Sequence, residues 1–167
     1  MDAMTQAPSV RTKKRPTDQP SVCSCVNLRR ASRAITKVYD DALQSAGLKV
    51  TQYSVLVNLS RSGSVSVSAL ARMLRLDRTT LVRNLKSLEQ AGLVEGAASS
   101  DSRERGVSLS EAGRAAVAQA RPRWTEAQRL IEQRLGVDGV RQLGELVVAL
   151  EGMAGQDAVT ADSVESE

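Results

Sequence analysis

The chain has 167 residues and a formal net charge of +4; 41% of its residues are hydrophobic, 2% are aromatic, and none is histidine. One domain of this length can bury a core, which has to be built from Leu, Val and Ala and therefore suits helices. The absence of histidine and of phosphate-binding glycine motifs excludes most catalytic and nucleotide-binding sites, so we expect a protein that is not an enzyme and has no cofactor.

Residues 1–20 are predicted to form a disordered basic tail, because prolines and the run R-T-K-K-R alternate with polar residues. The tail has no apolar block of the kind found in secretory signals. No stretch of about 18 apolar residues follows it, so no membrane span is predicted. A cytoplasmic protein is therefore expected.

Residues 21–46 have the apolar spacing of a helix, with Leu28, Ile35 and Val38 on one face. Cys23 and Cys25 are the only cysteines and lie in or just before its first turn, where the helix dipole and nearby arginines favour the thiolate form. Three interpretations of this pair remain open. The thiols are buried and structural, they sense an oxidant or electrophile, or they bind a soft metal or a trivalent arsenical.

The spacing of the two cysteines limits what each interpretation requires. A disulfide between residues two apart is strained, so oxidation is expected to link subunits or to modify one sulfur. Cys23 and Cys25 together can chelate a thiophilic centre, but the chain has no further Cys and no His. The remaining ligand would then come from the partner subunit, from an organic group on the arsenic, or from water.

A second helix is predicted to begin at Thr51 and to close at Gly63. Ser68 is predicted to cap a short third helix, whose Met73 and Leu74 face the core. The N-terminus of that helix offers Ser68 as a further phosphate contact.

The next segment is the most informative of the chain. Asp77 is placed to cap a helix that Gly92 ends. Its predicted apolar side consists of Leu81, Val82, Leu85 and Leu88. Its remaining surface carries cations, hydroxyls and an amide that suit phosphates and base edges in the major groove of DNA: Arg78, Thr79, Thr80, Arg83, Asn84 and Lys86. Residues 61–86 hold six Arg or Lys against one acid, which favours double-stranded DNA as the partner.

Two short strands, 93–97 and 105–109, are predicted to enclose the polar loop S-S-D-S-R. Helix, turn, second helix and hairpin in this order are typical of a winged helix-turn-helix. The fold class expected is therefore mainly α with a small β wing.

Residues 111–153 are predicted to form a long helix with a bend at Pro122 and a last helix after Gly136, and the acidic residues 154–167 a disordered tail. The apolar stripes of residues 21–46 and 111–153 need to be covered. A two-fold homodimer would cover them and would place two recognition helices about 34 Å apart, one turn of DNA.

The segment L-D-R-T-T-L-V-R-N-L-K-S-L-E-Q-A-G-L-V-E, the later D-S-R and V-S-L-S-E-A-G resemble the MarR family of bacterial transcriptional regulators, from about Cys23 to Met153. The resemblance implies a winged helix-turn-helix at residues 51–109, with the N- and C-terminal helices, residues 21–46 and 111–153, forming a dimerisation domain. It also implies that Arg103 reaches the minor groove and that Asp101 holds the wing by pairing with an arginine.

The first wing strand, E-G-A-A, lacks the basic residues of many relatives, so Arg103 and Arg105 are expected to carry the wing contact. Some relatives sense oxidants through a cysteine near the first helix, and this resemblance favours the oxidant interpretation of Cys23 and Cys25.

The expected function is a repressor that binds a palindromic operator as a homodimer and is released through the Cys23 and Cys25 thiols. One alternative is a regulator that responds to a small organic effector in the dimer cleft and has structural cysteines. The alternative from another class is a thiol-based redox or metal-handling protein that uses its winged helix for protein contacts.

Overall fold

A computed structural model describes residues 19–97 and 106–161, with side chains to Met153. Five helices, a single 3-10 turn and three strands make up these ranges. They are α1 (Ser24–Leu43), the 3-10 turn (Gln44–Ala46), α2 (Val50–Ser62), β1 (Val65–Ser66), α3 (Val67–Leu74), α4 (Arg78–Gln90), β2 (Val94–Ala97), β3 (Gly106–Leu109) and α5 (Glu111–Ala161). The prediction of a mainly helical chain with a small β wing is confirmed.

The chain divides into two compact units, and the boundary between Thr36 and Lys37 lies within α1. In the first unit, α1 begins at Ser24, three residues after the predicted start at Ser21. The reason is local, because the Asn27 side chain bonds both the amide and the carbonyl of Ser21, each at 2.7 Å. These two bonds turn the chain before the helix starts.

The core of the second unit is built from aliphatic side chains on four helices. Its largest fully buried members are Leu43, Val55, Leu56, Leu59, Leu70, Leu81 and Leu88. Branched and straight aliphatic side chains of this kind supply most of the driving force for folding. The arrangement fixes α2, α3 and α4 against one another and leaves the far side of α4 in solvent.

The strands form an antiparallel three-stranded sheet in the order β1-β3-β2. Val65 pairs with Val107, and Val94 pairs with Leu109. Val94, Val107 and Leu109 are buried, so one side of the sheet joins the core. The sheet therefore holds the strand that leaves α4 against the strand that enters α5.

Three predictions about the helix-turn-helix segment are wrong. The cap of α3 is Ser66 and not Ser68, because the extended backbone of Ser66 lets its hydroxyl accept a hydrogen bond from the Ala69 amide at 3.2 Å. Met73 and Val82 were expected in the core, but they are 46% and 47% exposed. Val82 lies about one quarter-turn from the Leu81, Leu85 and Leu88 stripe, so the core does not reach it.

Helix α5 is interrupted at Gly136, which has a φ of 74° and a ψ of 162°. The predicted break at this glycine is confirmed, whereas the backbone at Pro122 keeps helical angles. The part of the helix after Gly136 continues to Ala161, beyond the predicted boundary at Met153. None of the helices in the described ranges combines the length and apolar character that a membrane span requires.

Candidate nucleic-acid interface

Helix α4 begins at a cap formed by Asp77. Its Oδ1 accepts a hydrogen bond from the Thr80 amide at 2.8 Å, and its Oδ2 accepts one from the Thr80 hydroxyl at 2.5 Å. The bond from the Thr80 hydroxyl, and after it those from backbone amides, hold the pKa of Asp77 below its ordinary value. The predicted cap is confirmed, and it occupies the hydroxyl proton of Thr80.

The other end of α4 is closed by a left-handed turn at Gly92, whose φ is 69°. The Gly92 amide donates to the Glu89 carbonyl, and the Leu93 amide donates to the Leu88 carbonyl, both at 2.9 Å. This pair of bonds is the Schellman arrangement, which satisfies the last carbonyls of a helix. The predicted glycine at the end of the helix is confirmed, so both ends of α4 are fixed.

The two sides of α4 differ sharply in burial. Leu81, Leu85 and Leu88 are buried, and most of the predicted DNA-binding residues lie on the surface away from them. Exposed are Arg78, Thr79, Thr80, Arg83 and Lys86, and Asn84 is half-buried. Arg83, Asn84 and Lys86 make no side-chain hydrogen bond or ion pair with another residue of the described ranges. Their donors are therefore available to an external partner.

Two of the predicted DNA-binding residues, Arg78 and Ser68, form a hydrogen bond with each other. The Arg78 guanidinium donates a hydrogen bond to the Ser68 hydroxyl at 2.9 Å. Ser68 stands inside the first turn of α3, and Arg78 is the first residue of α4. The bond joins the two helices of the helix-turn-helix and brings a cation to the amino end of α3.

The turn between α3 and α4 contains Arg75, which has a positive φ of 51°. Its guanidinium pairs with Glu151 of α5 at 2.8 Å. An arginine in the left-handed region has no sequence signature, since glycine or asparagine is usual there. Sequence reasoning missed this link between the turn and the last part of α5.

The predicted wing residues Asp101, Arg103 and Arg105 lie outside the described residues. The strands that flank them are described, and Ala97 pairs with Gly106 where the hairpin leaves the sheet. The contacts assigned to the wing therefore stay predictions.

Cys23 and Cys25 are both exposed. The Cys23 carbonyl accepts the first hydrogen bond of α1, from the Asn27 amide at 3.2 Å, and Cys25 is in the first turn. This position was predicted, whereas the burial that the structural interpretation requires is absent from the isolated chain. Within the described ranges, no group of three potential metal ligands forms around them.

Sequence reasoning also missed an aromatic cluster in the second unit. Trp124 stacks on Tyr39 at 6.5 Å between ring centroids and meets Tyr53 at 6.2 Å. The Tyr39 hydroxyl donates to Oε1 of Gln128. Burial raises the pKa of both tyrosines, and Arg121 partly offsets this for Tyr53. The one feature of the sequence that could have indicated this cluster is that Tyr39, Tyr53 and Trp124 are its only aromatic residues.

The same part of α5 borders an open groove of about 620 Å³. Its lining mixes two guanidinium groups with a carboxylate and small side chains: Ala118, Arg121, Pro122, Thr125, Glu126 and Arg129. All six residues belong to α5, so the groove is an open surface of one helix and not an enclosed pocket.

A model of the MarR family matches residues 46–104, which run from the end of the 3-10 turn into the wing. The crystal structure of the M. tuberculosis transcriptional regulator MosR in complex with DNA is similar to this chain. The identity is 35%, the match covers 78% of this chain and 98% of MosR, and the TM-score is 0.69.

Two further relatives extend the comparison. A probable transcriptional regulator from Pseudomonas aeruginosa is 28% identical over 81% of this chain and 99% of its own, with a TM-score of 0.69. The organic hydroperoxide resistance transcriptional regulator of Bacillus subtilis (strain 168) is 34% identical over 90 residues. That match spans 53% of this chain and 61% of the relative.

Proposed function

The chain belongs to the MarR family of DNA-binding transcriptional regulators, and on that premise we propose that it is a repressor that binds a palindromic operator as a homodimer. The observation that carries the proposal is the surface of α4. The helix is capped at both ends and buries a leucine stripe, while Arg83, Asn84 and Lys86 remain unpaired within the described ranges. A rigid helix with free cationic and amide donors suits the major groove of DNA.

The charge around α4 supports this assignment. Arg72, Arg78, Arg83 and Lys86 are exposed, and Asp77, the one acid between residues 72 and 86, is engaged in a cap. Arg75 is exposed as well but is paired with Glu151. Neutralisation of phosphates by such groups supplies most of the sequence-independent affinity for DNA. The related MosR structure contains DNA, which is consistent with the same partner here.

Dimerisation is supported by apolar side chains that the isolated chain leaves in solvent. In the part of α5 after Gly136, Leu146 and Val148 are 60% and 70% exposed, and Val140, Val147 and Leu150 are exposed as well. Large apolar side chains exposed in this number on one helix mark an interaction site. In the proposal, a second copy of the chain covers it and presents the second recognition helix to the next turn of the operator.

Release from DNA is assigned to Cys23 and Cys25. Both are exposed at the amino end of α1, where an oxidant in solution can reach them. A thiolate attacks one peroxide oxygen, the O–O bond breaks, the other oxygen takes up a proton and leaves as an alcohol, and sulfur becomes a sulfenic acid. A second thiol then displaces water to give a disulfide. The name of the B. subtilis relative, organic hydroperoxide resistance regulator, makes such peroxides the first oxidants to test.

The experiment has two steps. An operator is first selected from a random duplex pool with reduced protein and is titrated by fluorescence anisotropy. The titration is then repeated with Cys23→Ser/Cys25→Ser, with and without an organic hydroperoxide. We expect wild type to release the operator on oxidation and the double variant to stay bound. Equal release of both proteins would remove the thiols from the proposal and leave DNA binding intact.

A small organic effector is the second candidate, and the open groove along α5 is the place where we test it. In this case a ligand in the groove, which Arg121 and Arg129 border, would release the operator from the double variant as readily as from wild type. A trivalent arsenical serves as the third probe in the same titration, because its effect requires the thiols but no oxidant.

A further inference from the structure

The carboxyl end of α4 and the first turn of α5 meet at a joint formed by Gly92, Leu93, Ser110 and Gly113. We propose that Ser110 and Gly113 are positioning residues for operator recognition, because they fix the end of the recognition helix to α5. The inference rests on the proposed function, since it concerns how the same α4 surface is aimed.

The Ser110 hydroxyl uses both of its hydrogen-bonding capacities at this joint. It donates to the Gly92 carbonyl at 2.6 Å and accepts from the Gly113 amide at 3.0 Å. The Ser110 amide also donates to the Leu93 carbonyl at 3.2 Å. One side chain therefore caps α5 and holds the turn that ends α4, which an ordinary helix cap does not do.

Gly113 makes the approach between the two elements possible. A Cβ atom at this position would lie 2.0 Å from the Leu93 carbonyl oxygen and 3.2 Å from Cδ2 of Leu109. The first of these is a backbone atom, so it cannot rotate away as a side chain would. Any larger residue at position 113 must move the turn after α4 away from α5 by about 1 Å, since real Cβ contacts under 3.0 Å are essentially never seen.

The joint also connects the helix that carries the proposed DNA-binding surface, α4, with the helix that carries the proposed dimer surface, α5. α5 begins at Glu111 and carries, beyond Gly136, the exposed apolar side chains assigned to the dimer. α4 is 13 residues long, or about 20 Å at the usual rise of a helix. A displacement at its carboxyl end therefore changes the angle at which its polar surface meets the groove, and a base contact tolerates little misalignment.

The test compares specific with non-specific DNA affinity, because a merely structural role would not change their ratio. Ser110→Ala, Ser110→Thr and Gly113→Ala are titrated against the selected operator and a scrambled duplex, at a temperature where circular dichroism shows each protein folded. Ser60→Ala is the matched serine control, since Ser60 is exposed and no side-chain bond involves it within the described ranges.

We expect Ser110→Ala to lower the ratio about fivefold to tenfold, because the exposed bond to Gly92 and the half-buried bond from Gly113 are lost together. Ser110→Thr keeps the hydroxyl and should keep the ratio, and Gly113→Ala should lower it further than Ser110→Ala does. The Ser60→Ala control should match wild type. A Ser110→Ala protein with a lower melting temperature but an unchanged ratio would overturn the inference while the proposed function stands. A wild-type protein that does not discriminate between the duplexes would overturn both.

Discussion

The polar side chains of α4 fall into two groups, those that hold the helix in place and those that remain free. Thr80 is bonded to Asp77, Arg78 to Ser68, and Ser87 to Gln52 of α2. Arg83 and Lys86 have no such partner within the described ranges. We therefore assign base and phosphate recognition first to Arg83 and Lys86. Substitutions of the hydrogen-bonded residues are expected to change DNA affinity mainly by moving the helix.

Arg83→Ala tests the role of the side chains of α4 that have no partner in the part of the chain that the structure describes. The variant loses a guanidinium from the middle of the exposed surface and should bind the operator about 1–3 kcal/mol more weakly, with relaxed preference at one base pair. Operator titration against single-base variants measures both effects. Arg134→Ala, which removes an exposed arginine from α5, should leave the preference unchanged. Retention of wild-type affinity and preference by Arg83→Ala would remove it from the interface.

Asp77→Asn tests the cap through pH. Because hydrogen bonds from Thr80 lower the pKa of Asp77 in the folded chain, the carboxylate stabilises the fold at pH values above its unfolded pKa. That contribution is lost as the pH falls through the folded pKa. Asn keeps an acceptor but does not titrate, so wild type should melt at a higher temperature than Asp77→Asn near neutral pH, and the two should converge in acid. A difference in melting temperature that is independent of pH would contradict this account.

Single residues were predictable where one rule acts alone. Asp77 and Gly92 follow from helix capping and from the need for a positive φ, and both were placed correctly. Ser66 and Ser68 satisfy the same capping pattern, and only the backbone path decides between them. The left-handed Arg75 and its bond to Glu151 depend on a tertiary contact that no local pattern encodes.

At the scale of elements, the fold depends on sharp helix ends. Each of the breaks at Gly47, Gly63, Gly92 and Gly136 has a positive φ near 70°. Glycine adopts this region without the steric cost that other residues incur. These breaks let one chain place short helices around the core and divide α5 at Gly136.

Gly92→Ala tests one of these ends. The added methyl meets nothing within 4 Å, so the effect isolates the backbone conformation. We expect a loss of about 1 kcal/mol in the free energy of unfolding, from the left-handed region alone. Chemical denaturation at fixed protein concentration measures it. Ser60→Ala, at an exposed position inside α2, is the control and should be neutral or slightly stabilising; an equal loss in both variants would rule out the assigned cause.

Helices and strands were predictable from periodicity because burial imposes it. The stripe of Leu81, Leu85 and Leu88 was predicted correctly in this way. Val82 was wrongly included in the core, because periodicity does not define how wide the buried face of a helix is. The aromatic cluster joins Tyr39, Tyr53 and Trp124 from three distant segments, and only the folded chain brings them together.

At the scale of the whole molecule, the isolated chain leaves much apolar surface in solvent. The part of α5 after Gly136 shows it most clearly, and in the first unit Val26 and Leu28 are exposed as well. In the proposed dimer a second copy covers these residues and fixes the distance between two recognition helices. Sequence patterns indicated the apolar stripes, because apolar residues recur at helical spacing. The same patterns do not encode which surface covers the stripes.

Val147→Asp tests the dimer. Val147 is 44% exposed in the isolated chain, so a carboxylate there is tolerated by a monomer and disfavoured in a buried interface. We expect the variant to become monomeric at concentrations where wild type is dimeric, and to lose operator affinity with it. Light scattering after gel filtration gives the mass. Ser60→Asp adds the same charge at an exposed position of α2 and should stay dimeric; a dimeric Val147→Asp would place the interface elsewhere.

The most direct test of the account is sedimentation of reduced wild-type protein with the selected operator at several salt concentrations. The account predicts two chains on each palindromic duplex and an affinity that falls steeply as salt rises, because several phosphates are neutralised together. A single chain on the duplex, or an affinity that is the same for a scrambled sequence, would contradict it.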